Sequence, residues 1–288
     1  MLDEALALVD EARADGVDAR LVGGLAVLAL CADAEGCRRD HRDLDLVAPK
    51  SAARRLLATL ARLGYEENRH VRLASGGALL QAYRPCAHEG PAGRLHADDR
   101  VDVYLDAFRL HHTVVLRRRL RREAYTLPPS DVLLAKLLRT HMSTADVRDV
   151  TTLLWHIDVT DEERPGTIGR RYLARACARD WGLYHDVSGN LERVAREAER
   201  LGLREREARR VGSAADGIRE ALAAARKGPR WRLRARIGER LPWYDAVDEG
   251  DGQRIGLRER PPAARRQPAG AGGSPVASSS SSRGTPLA

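Results

Sequence analysis

Two aspartates, Asp43 and Asp45, stand two apart in RRDHRDLDLV, residues 38–47. On a strand, side chains with that spacing share one face. Paired carboxylates repel one another unless positive charge lies between them. A magnesium ion, which prefers oxygen ligands and bridges phosphates, is the usual solution. A second acidic strand is legible in RVDVYLDAF, residues 100–108, where Asp102, Tyr104 and Asp106 alternate with Val101, Val103 and Leu105. It can bring a third carboxylate to the same site, and Asp102 is preferred to Asp106, for which a strand-end cap is the bland alternative. Upstream, Leu21-Val22-Gly23-Gly24 reads as a short strand that stops at two glycines and enters a helix. That arrangement lets backbone approach a phosphate. By itself a glycine pair is also what many ordinary turns contain.

These residues need elements to hold them. Residues 3–15 place Ala5, Leu6, Leu8, Val9 and Ala12 on one helical face, and Gly16 ends the helix. Residues 19–22 read as a strand, 25–32 as a helix, 33–42 as a polar loop, and 44–47 as a strand closed by Pro49. An amphipathic helix follows over 51–63 with Ser51 as N-cap. Val71-Arg72-Leu73 and residues 78–83 are strand candidates, and residues 85–99 read as loop. From about 128 the pattern turns helical. Ser130-Asp131 caps a helix to His141, Thr144 starts another to Trp155, and 165–185, 188–201 and 204–226 are also helical. The last stretch, 261–288, is low in complexity and reads as disordered.

The expected fold is α+β, with three parts: a strand-bearing core over 1–125 with a small mixed sheet, a helical domain over 126–250, and a tail over 251–288. The chain has 288 residues, 31% of them charged and 43% hydrophobic, as in a globular protein. No apolar run is long enough to cross a bilayer, and the acidic start does not resemble a secretory signal. Cys31, Cys37, Cys86 and Cys177 form no CxxC pair. The expectation is therefore a cytoplasmic protein with no membrane partner and reduced thiols. Net charge is +8, which suits a polyanionic partner. Half of that excess sits in the tail, so charge alone points only weakly to nucleic acid.

Glycine pair, DLD and a later strand aspartate together resemble the nucleotidyltransferase superfamily with the DNA polymerase β-like fold. Arg39, His41, Asp43 and Asp45 resemble the RxHxDhDh form found in antibiotic nucleotidyltransferases and in relatives of AbiE-type and MenT-type toxins. Between Gly24 and Asp43 lie 18 residues, longer than usual for the family, as an insertion around Asp33–Gly36 would explain. The segment LPPSDVLLAKLLRTHMSTADVRDVTTLLW resembles an AbiEii-type helical region, with Lys136 as its lysine and Asp146 and Asp149 as its carboxylates. The resemblance covers roughly residues 18–156. It implies nucleotide binding by Gly23, Gly24, Arg39 and Lys136. It also implies magnesium ligation by Asp43, Asp45 and Asp102, with Asp146 placed near the acceptor hydroxyl. Bland alternatives exist for the helical residues: Lys136 as a snorkelling surface lysine, and Asp149 as a partner of Arg148 or Arg139.

The function implied is metal-dependent transfer of a nucleotide from an NTP to an acceptor hydroxyl, releasing pyrophosphate. A type IV toxin-like enzyme acting on tRNA, with a cognate antitoxin as a further partner, is favoured by the basic charge. An aminoglycoside or lincosamide nucleotidyltransferase is the alternative. A third reading is an inactive nucleotide- or partner-binding scaffold. Two basic runs remain unassigned: Arg117–Arg122, and Arg230, Arg232, Arg234 and Arg236 alternating with Trp231, Leu233, Ala235 and Ile237. Either could grip an RNA backbone or form a solvated face.

Overall fold

A computed structural model describes residues 1–31, 44–84 and 100–245. The chain divides into two units, Met1–Arg258 and Glu259–Ala288. The strand-bearing and helical parts expected from the sequence both lie in the first.

The architecture is mixed α/β. Helix α1 (Leu2–Ala14) buries Ala5, Leu8, Val9 and Ala12. Gly16 follows it at φ +71, a left-handed conformation that glycine adopts without a Cβ penalty. Strand β1 (Arg20–Val22) leads straight into α2 (Gly23–Leu30), so the glycine pair is the first turn of the helix itself. Strand β2 (Leu44–Ala48) precedes a 3₁₀ turn at Lys50–Ala52 and helix α3 (Ala53–Arg62). Ser51 lies inside that turn and makes no capping hydrogen bond, contrary to the sequence reading. Strand β3 (Glu66–Glu67) follows.

Val71-Arg72-Leu73, expected as a strand, belongs to helix α4 (Arg69–Ala74). The local signal that wins is Asn68, whose side chain accepts from Val71 N at the helix start. Strands β4 (Leu79–Tyr83) and β5 (Arg100–Leu105) complete a five-stranded sheet of order β1-β2-β5-β4-β3. Only the central pair, β2 with β5, is parallel; the other pairs are antiparallel. Residues 125–127 run alongside β1, with Leu21 N donating to Tyr125 O and Leu127 N to Leu21 O.

The sheet faces differ in character. Leu21, Leu46, Val103 and Leu80 form one row through paired positions and are all buried. Each buried Leu or Val of this kind contributes roughly 1.5–3 kcal/mol of transfer free energy. The neighbouring row on the other face is Val22, Asp45, Asp102 and Gln81. The acidic row therefore rests on a sheet whose reverse side is hydrophobic.

Beyond the sheet, β6 (Ala107–Arg109) and β7 (Thr113–Val115) form a small hairpin. Then come α5 (Pro129–Leu137), α6 (Thr144–His156), the short pair β8 (Val159–Thr160) and β9 (Ile168–Gly169), α7 (Arg170–Cys177), α8 (Trp181–Glu197), α9 (Glu205–Ala224) and α10 (Pro229–Ile237). Helix α9 packs against α6, α7 and α8, and α2 packs against β2, α5 and α6. Thus α2 ties the sheet to the helical layer.

Ser130 and Asp131 do not cap α5, whose N-cap is Pro128. Ser130 Oγ instead accepts from Gly169 N, and Asp131 takes Arg119 Nε at 2.6 Å and the hydroxyl of Tyr172. Both side chains bind later segments to the start of α5. The chain after α10 is anchored by Trp243, whose indole N–H donates to the buried Asp186 at 2.9 Å. No helix among the described residues is long and apolar enough to cross a membrane.

Candidate active site

Asp45 and Asp102 sit directly opposite one another in the parallel β2–β5 pair. Residues in register on neighbouring strands point to the same face, so the two carboxylates are lateral neighbours. Val22, the last residue of β1, pairs with Asp45 on the other side. The next residue, Gly23, begins α2 with φ +73. A Cβ built there would lie 2.5 Å from Oδ2 of Asp45. The glycine is thus required twice over: by the backbone angle and by the carboxylate lying against it. Gly24 follows in the first helical turn and is partly exposed. A helix N-terminus carries unsatisfied N–H groups and partial positive charge, which suits a phosphate.

Asp102 is held firmly. Its Oδ1 accepts from the Gln81 amide at 2.8 Å, and its Oδ2 lies 3.2 Å from Arg100 Nε. Gln81 in turn accepts from Asn68 Nδ2 at 2.8 Å, while Asn68 N donates to the Gln81 backbone carbonyl at 2.8 Å. Since Asn68 donates to Gln81 Oε1, the Gln81 amide nitrogen must face Asp102. Asp102 and Gln81 are buried, and Asp45 is part-exposed.

Sequence reasoning missed Gln81, Asn68 and Arg100. Gln81 is the single polar residue in the run ALLQAY, and that was the available signal.

Asp106, the weaker candidate, turns away from this row. It has φ 63, its Oδ1 accepts from Lys50 N at 3.1 Å, and its backbone carbonyl accepts from Leu116 N and Arg117 N. It shapes the corner between β5 and β6. Arg39, His41 and Asp43 lie outside the described residues.

Lys136 is neither solvated nor snorkelling. Its Nζ lies 3.1 Å from Asp146 Oδ1 and 2.7 Å from Asp149 Oδ2, and all three side chains are largely buried. Asp146 has a second task as the capping-box residue of α6. Ser143 Oγ accepts from Asp146 N at 3.1 Å, and Ser143 N donates to Asp146 Oδ2 at 3.3 Å. Burial alone would raise the Asp146 carboxyl. Lys136, Arg139 and Ser143 outweigh it and hold the group below the ordinary carboxylate range. The cluster is connected to the acidic row through α2, which contacts β2, α5 and α6.

The carboxylates of Asp45 and Asp102, side by side in register, supply hard oxygen donors, the type that suits a divalent cation of the magnesium class. Among the described residues no group of three or more His, Cys, Asp or Glu side chains stands together as a metal set. The expected third ligand, Asp43, falls outside those residues. Both described cysteines, Cys31 and Cys177, are buried free thiols. Burial pushes the Cys177 thiol up to about 12, so it is not a thiolate nucleophile.

No family model matches the chain, and no curated protein does. A solved structure with a similar arrangement is the solution structure of the antibiotic-resistance factor ANT(2'')-Ia, reported to reveal substrate-regulated conformation dynamics. Identity is 13%, the match covers 53% of this chain and 84% of that one, and the TM-score is 0.35. At that level the functional reading rests on the chain's own side chains.

Proposed function

We propose that the chain is a metal-dependent nucleotidyltransferase that moves a nucleotide from an NTP to an acceptor hydroxyl. The observation that carries this reading is the conjunction at Gly23. A helix starts against a carboxylate that is itself in register with a second carboxylate. Phosphate-binding backbone and cation-binding oxygens are the two parts that such a transfer needs side by side.

In this reading the triphosphate lies against Gly23 and Gly24, with Arg39 and Lys136 as its positive partners. Asp43, Asp45 and Asp102 would hold magnesium, which would neutralise phosphate charge and make the α-phosphorus more electrophilic. Asp45 is the part-exposed member, able to meet a ligand. Asp102 is fixed from the side by Gln81, which Asn68 holds in turn. The acceptor oxygen forms a bond to the α-phosphorus as the bond to the bridging oxygen breaks. Pyrophosphate leaves with that electron pair, and the hydroxyl proton passes to a site carboxylate, assigned to Asp102. Asp146 supports the reaction through its contact with Lys136 and acts nearer the acceptor only if that contact opens.

The acceptor in this reading is an RNA hydroxyl of the tRNA type, which the positive net charge of +8 supports. The test is incubation of the full chain with each α-labelled NTP and magnesium, in parallel against total tRNA and a panel of aminoglycosides and lincosamides. Label transferred to tRNA supports the reading. Label on a small molecule alone moves the acceptor assignment, and no transfer to any acceptor by any NTP overturns it.

A further inference from the structure

The alternating arginines of residues 230–236 lie on a helix, so they do not form the single stripe that their alternation suggests. At 3.6 residues per turn, Trp231, Arg234 and Ala235 share one side and Arg230, Arg232, Leu233 and Arg236 spread over the other. The first side is engaged with the body of the protein. Trp231 Nε1 donates to Cys177 O at 3.2 Å, and the Trp231 ring meets Tyr184 edge-on. Arg234 stacks over Trp181 and donates to the carbonyls of Gly238, Leu241 and Pro242.

The second side is exposed, and its arginine side chains have no acidic partner among the described residues. Arg230, Arg232 and Arg236 are exposed, with Leu233 at 62% exposure among them. None of the three side chains makes an ion pair or hydrogen bond among the described residues. Many surface arginines elsewhere do: Arg62 with Glu11 and Asp15, Arg171 with Glu162, Arg196 with Glu192, Arg210 with Asp158. Arg226 and Arg240, just outside the two ends of α10, are exposed as well. The nearest acidic residue in sequence, Glu239, faces His185.

We propose that the outward side of α10 is a docking surface for the phosphate backbone of a nucleic acid. Charge complementarity selects the partner. Planar guanidinium groups, with Arg232 and Arg236 one turn apart, unpaired with carboxylates among the described residues, match a row of phosphates. A bilayer fits less well, because Trp231 already packs on Tyr184 of α8 and Leu233 is the one large apolar side chain of α10 that is exposed. An acidic protein would call for a central apolar anchor, and this face has one leucine. The inference bears on the acceptor in the transferase reading but does not require it, since the surface is defined without reference to the carboxylates.

The test is fluorescence anisotropy of labelled mixed-sequence RNA titrated with the full chain, without NTP, between 50 and 200 mM KCl. The substitutions Arg230→Gln, Arg232→Gln and Arg236→Gln together are expected to weaken binding by about tenfold or more. They should also lower the slope of log affinity against log salt by about two to three, one per lost phosphate contact. A control triple of equal charge change, Arg54→Gln, Arg55→Gln and Arg206→Gln, takes exposed arginines from α3 and α9 and is expected to leave affinity within about threefold. Equal weakening by both triples would assign the effect to net charge and overturn the surface. So would an unchanged slope in the first triple, or loss by that triple of stronger binding to poly-glutamate or to phosphatidylserine vesicles. NTP binding measured without polynucleotide reports separately on the nucleotide site, so the two readings fail independently.

Discussion

Gly23 and Asp45 are bound to each other by space: the glycine has no side chain, and the carboxylate lies where one would be. Replacing Gly23 by alanine adds a carbon 2.5 Å from Asp45 Oδ2 at a backbone φ of +73. The strained angle costs about 1–2 kcal/mol, and Asp45 must rotate or β1 and β2 must separate. Gly23→Ala is expected to lower the melting temperature by several degrees and to reduce nucleotide transfer by about a hundredfold or more. Thermal melting and a transfer assay on the same preparation check this. Wild-type transfer by the variant would show that the close approach has no functional role.

Gln81 is expected to matter through Asp102. Gln81→Leu removes the amide that donates to Asp102 Oδ1 at 2.8 Å and leaves Asn68 Nδ2 without its acceptor. Buried groups stripped of partners cost about 1–3 kcal/mol each. Urea unfolding should show a loss in that range, with an unchanged m-value. A loss under about 0.5 kcal/mol would mean that the Gln81 amide does little to hold Asp102.

Lys136 joins two buried carboxylates, so its removal takes the shared cation from both, while Asp146 keeps Arg139 and Ser143. Lys136→Met is expected to destabilise by about 3–5 kcal/mol, the range for breaking a buried pair by deleting one partner. Asp146 is held low by Lys136 and its neighbours, so its contribution is present above the ordinary carboxylate pKa and is lost as pH falls through the lowered one. The variant's deficit should therefore shrink in acid. Urea midpoints at neutral pH and near pH 3 test both statements, and a deficit that grows in acid would contradict them.

Asp131 carries the opposite sign. Burial pushes its carboxyl up to about 6 from an ordinary 3.8, and Arg119 and Tyr172 offset only part of that. Between those pH values the folded protein keeps a proton that the unfolded chain has released, so this residue lowers stability as pH rises through the window. The effect is at most roughly 3 kcal/mol. Melting temperature against pH, for wild type and Asp131→Asn, should differ in slope between pH 4 and 6, the variant lacking that decline. Parallel curves would place the Asp131 carboxyl near its unfolded value.

The acidic row was legible because strand alternation is written in the sequence. DLDLV and RVDVYL each put aspartate on one face and aliphatic residues on the other. What alternation cannot supply is register, and the pairing of Asp45 with Asp102 is a tertiary fact. Gln81 was hidden for the same reason, since its meaning depends on lying opposite Asp102. The errors have local causes. Val71–Leu73 has strand-like residue types, but the Asn68 cap and its tie to Gln81 make it a helix. The arginines of α10 alternate in sequence, yet a helical period sorts them into a half-buried brace and an exposed face. Ser130 and Asp131 had the look of a cap because short polar residues stood before an apolar run, while their partners, Gly169, Arg119 and Tyr172, are contributed by other segments.

The most direct measurement compares wild type with Asp45→Asn in a single-turnover assay with α-labelled NTP and magnesium, using whichever acceptor takes label. Asparagine keeps the shape against Gly23 while removing the charge that would hold the cation, so folding should be preserved and thermal melting can confirm it. The expected result is label transfer and pyrophosphate release by wild type, with the variant slower by about a thousandfold or more. Transfer by Asp45→Asn at the wild-type rate would contradict the assignment of this paired-carboxylate site as the catalytic centre.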